Sequence, residues 1–178
     1  MSTGSVDEPA VGMRLRAAQL LELALFGFCV ILLVSLFLVI IAAVFSRAFG
    51  ASLGWYDEVA SIGLAWLTFY GSAYAALKAA HLNFDTLLAR APVSIRKLAF
   101  LVSKAITISF FAALAWAGTV ILSIFGSETL TTLSWVPLAF TQSALPIGAV
   151  LFILAELLIL PDGLSRIGIA TSEQGGPL

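Results

Sequence analysis

The sequence predicts an all-α integral membrane protein with four transmembrane helices and both termini in the cytoplasm. Three observations carry this reading. Hydrophobic residues make up 61% of the 178-residue chain and charged residues 11%, against roughly 45–50% and about 25% in a typical globular domain. The mean hydropathy is +1.07, and the apolar excess is gathered into runs of the length, about 20 residues, that a bilayer core requires. The basic residues are crowded into every second connection.

The first span, about 20–45, reads LLELALFGFCVILLVSLFLVIIAAVF. At ~1.5 Å per residue it is roughly 39 Å long, so it overshoots a ~30 Å hydrocarbon core and should tilt or protrude. It is far longer than the ~7–15-residue apolar region of a signal peptide and reads as an uncleaved anchor. The second span covers about 57–80 and the third about 98–125. The fourth, about 136–160, lies between Trp135 and Pro161-Asp162-Gly163. Together the spans form one membrane domain, 20–160. Residues 1–19 and 161–178 are cytoplasmic tails with disordered ends. Residues 9–19 read either as a plain orientation signal or as a short interfacial helix holding Arg14 and Arg16 near anionic head groups.

Charge sets the orientation. Arg14 and Arg16 precede the first span, Lys78, Arg90, Arg96 and Lys97 flank the second connection, and Arg166 follows the fourth span. The first connection holds only Arg47 and the third holds no Lys or Arg. Segments rich in Lys and Arg stay cytoplasmic, so 47–56 and 126–135 face outward. The net charge of −1 offers nothing to nucleic acid. Cys29 is the single cysteine and His81 the single histidine, so neither a disulfide, a metal site nor a histidine relay is expected. No catalytic set, cofactor or metal is assigned, and the chain reads as a non-enzyme.

Within the spans, small residues recur every four positions: Gly71, Ala75 and Ala79, then Ser72, Ala76 and Ala80 on the second, and Ser109, Ala113 and Ala117 on the third. Such strips let helix backbones approach closely. They serve either packing within the chain or docking of another membrane protein. The first span has no polar stripe on any face and meets lipid or an apolar partner. Pro146 removes a helical hydrogen bond and frees the Gln142 carbonyl, so a kink is expected, with Thr141, Gln142 and Ser143 beside it. Polar groups at such a break either satisfy the kink or a neighbouring helix, or form a transport site.

No span carries a charge at its centre. Glu22, Lys104 and Glu156 lie near one cytoplasmic depth. Either Lys104 pairs with Glu156 or Glu22, or each head snorkels independently. Outside, Trp55-Tyr56-Asp57-Glu58 opens the second span. The aromatics suit the head-group belt and the acids suit a helix N-terminus. Arg47 is an ion partner within reach in sequence. Inside, His81 and Asp85 share a face if helical and read as a cap or solvated pair.

Several of these segments share one pattern. Arg47-Ala48-Phe49-Gly50 is followed by Trp55-Tyr56-Asp57-Glu58-Val59, by Trp66-Leu67-Thr68-Phe69-Tyr70-Gly71-Ser72-Ala73, and by Lys78, His81 and Asp85. This series resembles the small membrane subunit of tripartite ATP-independent periplasmic (TRAP) transporters, the DctQ-like family. The family pattern is an acidic pair opening the second helix, a W-x-x-F/L-x-G-A/S-A run inside it, and H-I-x-V/F-D after it. Here Leu82 stands for the usual Ile and Asp57 for the commoner Glu. Gln142-Ser143 through Pro146 resembles the family's last helix.

The resemblance implies a non-catalytic subunit in a bacterial inner membrane. It would anchor a large, multi-pass, DctM-like subunit that moves organic acids by an elevator mechanism coupled to sodium. It would also help dock the periplasmic, DctP-like substrate-binding protein. Sodium coupling then belongs to the large subunit, and this chain contacts that subunit, the periplasmic protein and membrane lipids. Under this reading Arg47, Trp55, Asp57 and Glu58 face the periplasmic partner. Trp66, Gly71, Ser72, Ala75, Ala79, Gln142 and Pro146 pack helices or meet the large subunit. His81, Asp85, Lys104 and Glu156 act structurally on the cytoplasmic side. The competing readings are a stand-alone small multidrug or solute exporter, an intramembrane enzyme, and an unrelated membrane assembly protein. The first would place a Glu deep in span one, where Glu22 is too near the inner end. The second would need a reactive cluster at depth.

Overall fold

A computed structural model describes residues 8–51, 53–79 and 93–174; the side chains of 8–15, 79, 162 and 165–174 are outside that description. It is helical: α1 (Glu8–Ala48), α2 (Tyr56–Ala79), α3 (Val93–Phe125), the short α4 (Leu138–Gln142) and α5 (Ala144–Gln174). Three helical stretches are long and apolar enough to cross a membrane: Arg16–Ala48, Val93–Phe125 and Leu138–Pro161. The 24-residue α2 is about 36 Å long, but its Gly, Ser, Thr, Tyr and Trp residues dilute its hydropathy, and it is not among the three.

The helices lie side by side in the order α1, α2, α5, α3. Each packs on its neighbour in that row, while α1 reaches α5 at only a few points and α3 has no substantial contact with α1 or α2. This is an open layer, not a closed four-helix bundle. No large side chain is fully enclosed among the described residues. Residue pairs give the directions. Glu22 meets Lys78 and Phe28 meets Tyr70, so α1 and α2 are antiparallel. Phe69 meets Gly148, and Ala73, Ala76 and Leu77 share a cluster with Ala155 and Ile159, so α2 and α5 are parallel. Lys104 meets Glu156 and Gly118 meets Pro146, so α3 runs antiparallel to α5. The connections 49–55 and 126–137 therefore share one end of the layer. The start of α1, Ala79, Val93 and the end of α5 share the other.

Helix ends follow local chemistry. α1 closes on Gly50, at φ +77, a conformation that costs glycine nothing. The Ala51 amide donates to the Ser46 carbonyl at 2.9 Å and the Gly50 amide to Arg47 at 3.1 Å, the bond pair of a Schellman cap. The expected interruption before Pro146 falls at Ser143, where α4 gives way to α5. Two boundaries differ from the sequence reading. α1 extends back to Glu8, so 9–19 is helical and continuous with the first span rather than a separate element. α5 runs through Pro161 to Gln174, so Pro161 does not end it. A helix tolerates the proline by leaving a single carbonyl without its intrahelical partner. Residues 1–7 and 175–178 of the expected tails lie outside the described residues.

Candidate partner-docking surfaces

The outer end is built from two connections that meet at α2. Arg47 is exposed in the last turn of α1 and forms no ion pair with Asp57 or Glu58 among the described residues. Phe49 beside it is 84% exposed. Trp55 is half-buried and its carbonyl accepts the Val59 amide at 3.2 Å. Asp57 is exposed. Glu58, one residue on, is engaged by the other connection. Its carboxylate accepts the Thr131 amide and the Thr132 amide, each at 3.1 Å, and the Thr132 hydroxyl. The expected Arg47 pairing is thus replaced by backbone donors from 73 residues away. Trp135, on the same connection, is 79% exposed.

At mid-layer, Trp66 is an intrachain anchor. Its indole Nε1–H donates to the Thr141 carbonyl at 3.2 Å, beside the α4–α5 break. Its ring stacks on Tyr70 at 5.5 Å and meets Phe140 at 5.2 Å and Phe28 at 6.0 Å. The Thr141 hydroxyl turns back to Leu138 O at 2.8 Å and the Ser143 hydroxyl to Phe140 O at 2.7 Å. The half-buried Gln142 amide makes no hydrogen bond among the described residues.

The small-residue strips divide. Ala76 is buried, with Tyr70, Ala73 and Leu77 around it. Ser72 is half-buried and bonds to Phe69 O in its own helix. Gly71 has open space where a side chain would project, and Ala75, Ser109, Ala113 and Ala117 are exposed. These residues therefore do not pack within the chain. Close approach depends instead on glycines that the four-residue spacing did not single out. A Cβ on Gly148 would lie 2.5 Å from Phe69 Cβ, and one on Gly118 would lie 2.8 Å from the Pro146 ring. Pro146 is buried there.

Near the inner end, Lys104 pairs with Glu156 and ties α3 to α5. The Glu156 side chain is 8% exposed and that of Lys104 23%, so this pair is shielded. Glu22 pairs instead with Lys78 and ties α1 to α2 in a more open setting. The sequence reading did not pair Glu22 with Lys78, because their shared depth is legible along the chain but the adjacency of α1 and α2 is not. Arg96, counted among the loop cations, is buried in the first turns of α3. His81, Ala80, Asp85 and Arg90 lie outside the described residues, as does the side chain of Ala79.

These features sit in a chain that a family model matches over residues 36–162, under the description "Tripartite ATP-independent periplasmic transporters, DctQ component". The chain belongs to the DctQ family. No curated protein matches it. As a DctQ component, it is part of a transporter and a multi-pass membrane protein. The DctQ match takes in the Glu58 contacts, the Trp66 anchor and the Lys104–Glu156 pair, and leaves out Glu22.

Proposed function

We propose that this DctQ subunit is a non-catalytic anchor. It holds a large elevator-type subunit in the bacterial inner membrane and helps to dock the periplasmic substrate-binding protein during sodium-driven uptake of organic acids. The open layer carries the reading. Leu33, Phe37 and Val44 on α1 and Ile106, Phe110 and Trp116 on α3 are more than half exposed, as an apolar surface awaiting lipid or a protein partner would be. A moving transport domain needs a fixed frame to slide against, and a broad, thin layer supplies one without enclosing a path of its own.

The smooth faces at the half-buried Gly71 and exposed Ala75 on α2, and at the exposed Ser109, Ala113 and Ala117 on α3, are the places we assign to the large subunit. Lipid fills the remaining apolar surface, including a cleft of about 290 Å³ between α1 and α2 lined by Phe28, Leu32, Leu36, Ile62 and Trp66. All four long helices span, with both termini inside. The basic residues Arg14, Arg16, Lys78, Lys97 and Arg166 all belong to the end of the layer where α1 begins and α5 ends, as inward-facing segments require. The connections 49–55 and 126–137 then face the periplasm, where Phe49, Trp55, Asp57 and Trp135 meet the binding protein.

Site-specific photo-crosslinking in native membranes tests the assignment. A crosslinker at Ala75 or Ala113 should capture a multi-pass protein much larger than this chain. Capture of lipid alone at both positions would contradict the anchoring role.

A further inference from the structure

The 126–137 connection has little regular structure of its own, yet its backbone is tied near its base. The Leu138 amide donates to Glu128 O at 2.7 Å and the Leu130 amide to Val136 O at 3.2 Å, around the Thr129–Pro137 bridge. The Val136 amide closes a turn onto Leu133 O at 2.9 Å. Beyond these ties the tip has an anchor from a different helix, Glu58. One carboxylate oxygen takes the Thr131 amide and the other takes the Thr132 amide and hydroxyl. Two successive amides aimed at two oxygens call for a carboxylate. A glutamine in the same place would set its own NH₂ against one of the donors.

What the clasp holds in place is chemically suited to a protein surface. Ser134 and Trp135 point outward from the tip, while Leu130 and Leu133 are half-buried beneath. A rigid aromatic among short hydroxyl side chains combines contact area with adaptable hydrogen bonding. A loop ordered in advance also avoids the entropy cost of ordering it on association.

We propose that Glu58 is a positioning residue: its carboxylate fixes the tip of the 126–137 connection to the start of α2, and so presents Trp135 and Ser134 in one arrangement to the periplasmic binding protein. The proposal rests on the docking role given above. Glu58 itself faces inward to the loop and does not touch the partner. Its neighbour Asp57, exposed and without a hydrogen bond among the described residues, serves as the internal control for loop exchange alone, since it belongs to the docking surface.

The test uses this chain with its large subunit in lipid nanodiscs and follows amide hydrogen exchange over 127–138. Glu58→Gln should raise exchange in that segment several-fold, with α3 peptides unchanged; Asp57→Asn should alter neither. Thr132→Val should have a smaller effect that vanishes in the Glu58→Gln background. Binding of the purified periplasmic component is then measured by interferometry, where Glu58→Gln and Trp135→Ala should each weaken it several-fold. Unchanged loop exchange in Glu58→Gln overturns the clasp. Faster exchange with binding weakened only by Trp135→Ala overturns the positioning role and leaves docking intact. Faster exchange with binding unaffected by both variants overturns the docking role itself.

Discussion

At the residue scale, the two inner ion pairs differ in what they contribute. Lys104 and Glu156 are shielded between α3 and α5, so removing one partner leaves a charge where it is poorly solvated. Lys104→Met should destabilise the chain by roughly 3 kcal/mol, and Lys104→Met with Glu156→Leu should recover most of that loss, read by melting in a mild detergent. Glu22→Gln, at the open pair, should leave the melting midpoint where it is, because exposed pairs contribute little. Equal melting of Lys104→Met and wild type would return both residues to independent snorkelling. The pairing of Lys104 was legible in the sequence as one of two choices, since depth narrows the partners and helix adjacency selects between them. Adjacency is what sequence lacks: Glu22 and Glu156 share a depth, but α1 and α3 are far apart in the row.

At the element scale, helix contacts depend on a few glycines and one indole. Gly148→Ala would drive a methyl group into Phe69 and should cost about 1–3 kcal/mol at the α2–α5 seam. Gly71→Ala meets open space and should melt like the wild type. Trp66→Phe removes the bond to Thr141 O while keeping an aromatic ring at the site, and loss of the bond should cost about 0.6 kcal/mol and at most about 1.7, the mean and the maximum for interhelical hydrogen bonds in membranes. The break near Pro146 could be read in advance because proline chemistry is local. The faces of α2 could not. Small residues nearly surround that helix, so two strips of equal quality pointed in different directions, and only tertiary packing shows that Ala73 and Ala76 lie inward while Gly71 and Ala75 do not. The Glu58 clasp was hidden for a related reason, since its donors are backbone amides, which every loop has.

At the scale of the whole molecule, the class of fold was legible and its shape was not. Apolar runs and charge bias are properties of a chain meeting a bilayer, and they need no knowledge of neighbours. Whether helices close into a bundle or spread into a layer leaves no mark on a sequence whose helices are apolar all round, because lipid and protein interior present the same polarity. The layer has a consequence for partners. Ala75→Trp and Ala113→Trp alter faces that are open in this chain, so each should leave the melting of the isolated chain unchanged while lowering recovery of the large subunit. A fall in the melting of the isolated chain would instead mean that these faces pack within it.

The anchoring role is tested most directly by purifying this chain from its native membrane in mild detergent and identifying what accompanies it by mass spectrometry. A large multi-pass membrane protein in fixed ratio to this chain is the predicted result. A chain that purifies alone, and that moves a solute when reconstituted alone, would contradict it.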